Sequence, residues 1–570
     1  MNHIPLLRIR LLTIPILCVA VLIISKLYLI QIVKGEAYAE RADRQYVRPF
    51  TNLFDRGSIF FTTKDGSTIA AAGLKSGFIV AINPGKIKNP YDTYVALKKI
   101  IKDLDYEVFL SKASKESDPY EEIARRVEPT DSEKIEALGL PGVYVYKERW
   151  RYYPGGKTAS HLIGFLSYNK DTLGAFYGLE SSYDTVLNRD AEATYANFFT
   201  EILSGIKKNV FNKKSLEGDI VLTIEPTVQG YLEQSLEKVN KKFSSEKTGG
   251  IIIDPTTGDI FALAIYPTYD PNDTSQVEDI SDFSNPMVEN VYEMGSIVKP
   301  LTVAAGLDAK VIKPESTYDD KGSATYDKST VSNFDKKPYG ITTIQNALGK
   351  SLNIGMAHIV GKLGKGRFVE YFYGFGLHEK TGIDLPNEAK PLTENLQSPR
   401  DIEAITASFG QGIAVTPIGI VRALSTLANG GNLIEPHVVR RVDYKIGISN
   451  EIAPEKGKQV IKPETSEEIT RMLVKVVDND LLEGQIKNDR YAIAAKTGTA
   501  QIARTDSSGY YEDRYLHSFF GYFPAYKPRF LVFLFTYYPK GVDYASHTLT
   551  EPFKELSDFL VSYYNVPPDR

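Results

Sequence analysis

A chain of 570 residues exceeds one ordinary domain, and its apolar content suffices for about two or three cores. The formal net charge of -4 leaves no basic surplus for a nucleic-acid footprint. A single cysteine, Cys18, excludes a disulfide framework and a thiolate metal site, and the 7 histidines form no His-Glu-x-x-His pair.

From Leu11 to Ile24 the chain is nearly free of polar side chains; Ser25 and Lys26 interrupt, and Leu27 to Val33 is mostly apolar again. This pattern predicts a membrane-spanning helix over 11–33, with Lys26 snorkelling to an interface and Cys18 acting as a small hydrophobe. Arg8 and Arg10 precede the run, so residues 1–10 are expected in the cytoplasm and the rest of the chain outside. No Ala-x-Ala site follows, which argues against a cleaved signal peptide, and Leu17 before Cys18 argues against a lipoprotein. A single-pass protein is the expectation.

Residues 34–217 read as an irregular, extended α+β segment, with helices predicted over 95–104 and 121–127 and strands over 77–81 and 143–146. The pattern changes at Asp219. A strand is predicted over 220–224, then a helix opened by Glu225-Pro226 and running to Phe243. Strands over 250–253 and 260–265 flank the turn residues Asp254-Pro255-Thr256-Thr257-Gly258. Helical segments follow between Ser296 and Leu427; strands return over 491–495, 518–523 and 530–537, and 552–564 reads as a closing helix. Strands at both ends with helices between them imply one α+β domain over 218–570 with a mixed central sheet built from distant parts of the chain.

Acyl transfer by a serine needs a base beside the hydroxyl and donors aimed at the developing oxyanion. One solution takes lysine as the base, in Ser-x-x-Lys on a helix, where the spacing puts both side chains on one face. It also needs a Ser-x-Asn and a Lys-Thr-Gly on an adjoining strand. Each motif recurs by chance here. Ser-x-x-Lys occurs at Ser204/Lys207, Ser244/Lys247 and Ser296/Lys299; Ser-x-Asn at Ser167/Asn169 and Ser351/Asn353; Lys-Thr-Gly at Lys247, Lys380 and Lys496. Context selects among them. Ser244 lies in a polar link, Ser204 in the irregular segment, and Lys380 in a loop leading to Ile383-Asp384-Leu385-Pro386. Ser296 instead opens an apolar helix over 297–307, where a lysine is costly as a cation without a task. Lys496 is expected to end the strand 491–495, with Gly498 clearing space for a substrate backbone. Ser351-Leu352-Asn353 falls between two helical patterns; taken alone, it is equally readable as a surface break.

The stretch Tyr292-Glu293-Met294-Gly295-Ser296-Ile297-Val298-Lys299-Pro300 resembles the active-serine segment of class B (monofunctional) penicillin-binding proteins, with Met294 where the family usually has proline. Lys496-Thr497-Gly498-Thr499-Ala500, Ser408-Phe409-Gly410-Gln411-Gly412 with Thr416-Pro417, Thr381 to Pro386, and Asp270-Pro271-Asn272 extend the resemblance. Upstream, Arg56-Gly57-Ser58-Ile59, Arg151-Tyr152-Tyr153-Pro154-Gly155, His161-Leu162-Ile163-Gly164 and Gly178-Leu179-Glu180 resemble the family's pedestal. The chain departs from it after Ile59, with Phe60-Phe61-Thr62-Thr63-Lys64-Asp65-Gly66, and its middle motif is Ser-Leu-Asn rather than Ser-Ser-Asn. Arg151-Tyr152-Tyr153-Pro154 is more similar to the cell-division type than to the elongation type.

The resemblance implies a single-pass inner-membrane enzyme with a pedestal over 34–217 and a β-lactamase-like transpeptidase domain over 218–570. Ser296 would attack the penultimate D-Ala carbonyl of a peptidoglycan stem peptide, with Lys299 as base, kept neutral by burial and by the Lys496 cation. Ser351 and Asn353 would relay the proton and hold the substrate amide. Lys496, Thr497, Gly498 and Thr499 would bind the terminal carboxylate, and the Ser296 and Thr499 N–H groups would form the oxyanion hole. No metal or organic cofactor is implied; the partners are stem peptides, β-lactams, a separate polytopic glycan polymerase, and divisome or elongation proteins. A serine β-lactamase or D,D-carboxypeptidase would resolve the acyl-enzyme with water and needs no long pedestal. A non-enzymatic β-lactam sensor would need a signalling partner.

Overall fold

The computed structural model describes residues 54–169, 172–189, 217–452, 457–504 and 509–570, with Val19, Ile23 and Lys26. The expected span over 11–33 and the Ser204/Lys207 pair therefore lie outside the described residues; no described helix is long and apolar enough to cross a membrane.

The chain forms two compact units: one holds Leu74–Arg151, and the other Arg56–Gly73, Tyr152–Arg189 and, of the residues described, 217–570. The smaller unit packs Val80, Ile82, Leu97, Leu104, Phe109 and Ile135 into its own core. Its first helix is Pro90–Lys98 rather than 95–104, because Asn89 accepts hydrogen bonds from the Tyr91 and Asp92 amides and Pro90 fits the first turn. Glu121–Val127, predicted helical, is a strand. It lies antiparallel to the end of Thr68–Ile82, with Phe78 opposite Val127, and this pairing overrides a weak local helix preference.

In the larger unit, five strands run in the order Ala494–Ala503, Tyr510–Phe523, Phe530–Tyr537, Lys247–Ile253, Ile260–Tyr266. All their pairings are antiparallel. The parallel pairing expected of a mixed central sheet is found in the neighbouring sheet, where Ile59–Thr62 runs alongside Gly218–Leu222. Pro226–Phe243 forms the predicted helix, and the Glu225 side chain accepts from the Val228 amide at its start. The closing helix is Ser546–Tyr563, so Pro552 lies inside it rather than opening it. Leu549, Phe553, Leu556 and Leu560, all fully buried, hold that helix against Phe519, Phe523 and Phe530 of the sheet. Their combined burial offsets the backbone hydrogen bond that proline forfeits.

The upstream segments singled out by resemblance meet in one buried cluster of this unit. The Arg56 guanidinium donates to the Glu180 carboxylate at 2.7 Å and to the Glu180 carbonyl at 2.9 Å, and the Tyr153 hydroxyl donates to Glu180 at 3.2 Å. Asn272 exchanges two hydrogen bonds with the Tyr153 backbone, at 2.9 and 3.1 Å. After Ile59 the departing sequence still makes a hairpin: Gly66 adopts φ 86°, and Asp65 accepts from the Ser67 amide and hydroxyl.

Candidate active site

Ser296 sits in a 3-10 turn, Gly295–Val298, that runs directly into the α-helix Lys299–Asp308. Gly295, at φ 63°, enters that turn in the left-handed region, and its amide donates to the Gly410 carbonyl at 3.0 Å. Thr302 donates to the Ser408 carbonyl at 2.7 Å, so Ser408-Phe409-Gly410 braces the turn and the helix behind it. On the other side the Ser518 hydroxyl donates to the Met294 carbonyl at 3.0 Å. Ser296 is the one partly exposed residue of an otherwise buried turn.

One turn on, Lys299 is fully buried at 0% exposure. Its amine donates to the Ser351 carbonyl and, at 3.0 Å, to the Ser351 hydroxyl. Ser351 can offer both atoms because it adopts φ 59°, a left-handed conformation that costs a non-glycine residue about 1 kcal/mol or more. Asn353 opens the helix Asn353–Leu363, and its side chain donates to the Ser332 carbonyl at 2.8 Å. Buried Asn333 accepts from the Ile354 amide at 3.2 Å and pins the same helix start. Thus Ser-Leu-Asn is no surface break.

The strand carrying Lys496 is Ala494–Ala503, so Lys496-Thr497-Gly498-Thr499 lies within the strand rather than past its end. The ladder continues through the motif, with Lys496 opposite Phe520 and Thr499 opposite His517. Residues 491 and 492 are held instead by Asn488 and Asp569 side chains. Gly498 also acts differently from expectation. A Cβ there would lie 2.4 Å from the Ser518 hydroxyl and 2.9 Å from the Met294 carbonyl. The missing side chain admits the Ser296 turn against the strand.

Ala494–Ala503 is an edge strand, so alternate backbone groups are unpaired by the sheet. A Cβ on Gly295 would lie 2.9 Å from the Thr499 carbonyl, which therefore faces the Ser296 turn. A strand residue's N–H and C=O point to the same side, so the Thr499 N–H faces that turn too. Thr497 and Thr499 are half-buried on one face of the strand, while Lys496 is buried on the other.

Burial, and secondarily the Lys496 charge, holds the Lys299 amine well below its ordinary range. Lys496 is 3% exposed; burial pushes it down to about 8, against the opposing pull of Asp480.

The competing motif copies do not converge. Ser244 caps the Pro226–Phe243 helix at φ 47°, while Lys247 begins a strand and pairs with Asp282 at 3.7 Å. Lys380 is on an exposed loop, and Ser167 lies in the hairpin strand Leu166–Asn169. No motif marks a site role for Asp480, Ser332, Asn333 or the pair Glu293–Tyr510, whose two carboxylate oxygens each lie 3.0 Å from the hydroxyl. Only Glu293, beside the serine motif, carried any local signal.

A half-exposed serine, a charge-depleted lysine one turn away and outward amides on an edge strand define the class: a serine acyl-transfer fold. Residues 248–558 match the family model for the penicillin binding protein transpeptidase domain, and residues 55–195 that for the penicillin-binding protein dimerisation domain. The chain belongs to the class B penicillin-binding protein family. It is 30% identical to stage V sporulation protein D of Bacillus subtilis, over 94% of this chain and 82% of that relative. Against peptidoglycan D,D-transpeptidase FtsI of Escherichia coli it is 28% identical, over 78% of this chain and 73% of that one. Two crystal structures share its fold. Penicillin binding protein 2X from Streptococcus thermophilus superposes with a TM-score of 0.72 at 17% identity, covering 90% of this chain and 81% of that one. Penicillin binding protein 3 from Mycobacterium tuberculosis, complexed with aztreonam, gives 0.68 at 20% identity, covering 91% and 98%.

Proposed function

We propose that the protein is a D,D-transpeptidase that cross-links peptidoglycan stem peptides through an acyl-enzyme on Ser296, acts in septal wall synthesis, and is inactivated by β-lactams at the same serine. The observation that carries this reading is the buried Lys299 amine one helical turn from Ser296. A neutral amine has two hydrogens and one lone pair. Both hydrogens have acceptors on Ser351, which leaves the lone pair for the Ser296 proton.

In the donor step, Lys299 Nζ takes the Ser296 proton as Oγ bonds to the penultimate D-Ala carbonyl carbon. The Ser296 and Thr499 N–H groups hold the oxyanion. Collapse breaks the peptide C–N bond, and the proton passes from Lys299 through the Ser351 hydroxyl to the departing D-Ala nitrogen. An amine of a second stem peptide then attacks the ester, forming the cross-link amide and returning Ser296. Asn353 holds the donor's amide, and Lys496, Thr497 and Thr499 bind its terminal carboxylate beside Gly498. A β-lactam follows the donor step, but its ring nitrogen stays tethered to the acyl group and blocks the second amine.

The names of the relatives, peptidoglycan D,D-transpeptidase and stage V sporulation protein D, support a wall-building role. The septal assignment rests on Arg151-Tyr152-Tyr153-Pro154. Residues 1–10 form the cytoplasmic tail, 11–33 the anchor in the cytoplasmic membrane, 34–217 the pedestal and 218–570 the catalytic domain outside. The two family matches support the last two. A polytopic glycan polymerase and divisome proteins are the partners this role requires.

Transfer is separated from hydrolysis by product analysis. With a D-Ala-D-Ala pentapeptide donor and an amine-bearing acceptor peptide, each D-Ala released should match one new amide. A product ending in a free carboxyl, formed at the same rate whatever the acceptor concentration, would make the enzyme a hydrolase.

The pH dependence follows from the two lysines. Burial and the Lys496 charge hold Lys299 well below the ordinary lysine range, so it can act as a base at a lower pH than a solvated lysine could. Lys496 loses its charge as pH rises through about 8, and with it the partner of the ligand carboxylate. The second-order acylation rate with a penicillin should therefore fall as pH rises above about 8. A rate that climbs steadily from pH 8 to the alkaline range would contradict these roles.

A further inference from the structure

Thr499 meets a feature that its strand does not supply. The amide of Ala545, at the start of the closing helix Ser546–Tyr563, donates to the Thr499 hydroxyl at 3.2 Å. A hydroxyl has one hydrogen. With its oxygen already accepting, the Thr499 hydroxyl is left as a donor pointing away from Ala545. The amide belongs to the unpaired N–H groups of an 18-residue helix, where the helix dipole is positive. Hydrogen bonds in series polarise one another, so this amide strengthens the hydroxyl as a donor.

Ala545 is itself held. Its carbonyl accepts from the Thr548 amide at 3.2 Å, the Leu549 amide at 3.0 Å and the Thr548 hydroxyl at 3.1 Å. The Thr548 hydroxyl also lies 3.0 Å from His517 Nδ1. His517 is paired directly with Thr499 across the two strands, so both side chains stand on the same face of the sheet. Ala545, Thr548 and His517 are 1%, 2% and 0% exposed, so this frame is not solvent decoration. Burial pushes the His517 imidazole down to about 4, which leaves it neutral and restricts it to hydrogen bonding at working pH.

We infer that His517 and Thr548 are positioning residues: through the Ala545 amide they fix Thr499 as a hydrogen-bond donor and so set the enzyme's preference for ligands bearing a free carboxylate. The inference rests on the reading of Thr499 as carboxylate-binding. It adds that this preference is built partly in the closing helix, outside the three sequence motifs.

The test compares acylation by benzylpenicillin with acylation by its uncharged methyl ester. The ratio of the two second-order rates isolates carboxylate recognition, and the ester rate reports whether the fold and the serine chemistry survive. Ala545→Pro removes the donor at a φ of -58° that proline also adopts, and sets its ring Cδ against the Thr499 hydroxyl, so it reports loss of the whole contact. Thr548→Val removes the support, and Thr548→Ser restores it. Charge-assisted hydrogen bonds lead us to expect the ratio to drop roughly tenfold in Ala545→Pro and severalfold in Thr548→Val. The ester rate should stay within about twofold of the parent, and Thr548→Ser should keep the parental ratio. Thr499→Val separates the two levels. If it leaves the ratio unchanged, the carboxylate reading of Thr499 fails. If it lowers the ratio while Ala545→Pro does not, the positioning inference is overturned and the carboxylate reading stands. Should Thr548→Val lose both rates through misfolding, Thr548→Ala, which removes the same hydroxyl without added bulk, decides in its place.

Discussion

Ser296→Ala should reduce covalent labelling by a fluorescent penicillin to background, a loss of roughly a millionfold in acylation rate. Ser244→Ala should label at the parental rate. The contrast has a structural basis. Ser296 is partly exposed at the head of a buried helix whose lysine lies one turn away. Ser244 is the left-handed cap of a helix end, and Lys247 is engaged with Asp282. Gel fluorescence after a fixed exposure reads the difference directly. Labelling that survives Ser296→Ala would remove this serine from the chemistry.

Lys299→Arg should cost on the order of 10²- to 10⁴-fold in acylation, the range for losing a general base. A guanidinium does not give up its proton at any working pH. It also brings an obligatory charge into a site where Lys299 is fully buried, so folding must be measured alongside. Lys299→Met is the companion variant. It approximates the volume, carries no charge and cannot act as a base, so it should lose acylation while keeping or raising the unfolding temperature. Lys496→Arg keeps the charge facing the carboxylate and should retain part of the rate. Stopped-flow acylation of the three variants separates a base from a mere cation. If Lys299→Arg acylates near the parental rate, lysine is not the base.

Most of the candidate site is legible in the sequence because the proposed chemistry is concentrated in short contiguous motifs. Ser296 and Lys299 are joined by helical spacing, and Lys496 to Thr499 by one strand. What holds these pieces to one another was not legible. Asp480, which opposes the depression of Lys496, is one of two acids in Val476–Asp480, and nothing local sets it apart from Asp478. The carbonyl of Ser332, which fixes Asn353, is a backbone group with no sequence signature. The reason for Gly498 emerged only once its strand was seen packed on Met294 and Ser518.

The fold followed the same division. The start of the Pro226–Phe243 helix is readable from Glu225 and Pro226, and its end is legible only approximately. Glu121–Val127 was misread because seven residues with mixed polarity carry no decisive period, and a distant partner strand determined the outcome. The sequence places the start of the closing helix at Pro552, six residues late, because a proline usually opens a helix. The aromatic and leucine contacts that extend it upstream to Ser546 lie on strands far away in the chain.

The most direct test of the central claim is the identity of the acylated atom. The full-length protein, purified in detergent, would be treated with benzylpenicillin, then examined by intact mass and by peptide mapping with fragmentation. The account predicts one adduct per chain, carried by Ser296 on the peptide that contains Tyr292 to Lys299. An adduct on any other residue, or an acylated protein in which Ser296 is unmodified, would contradict it.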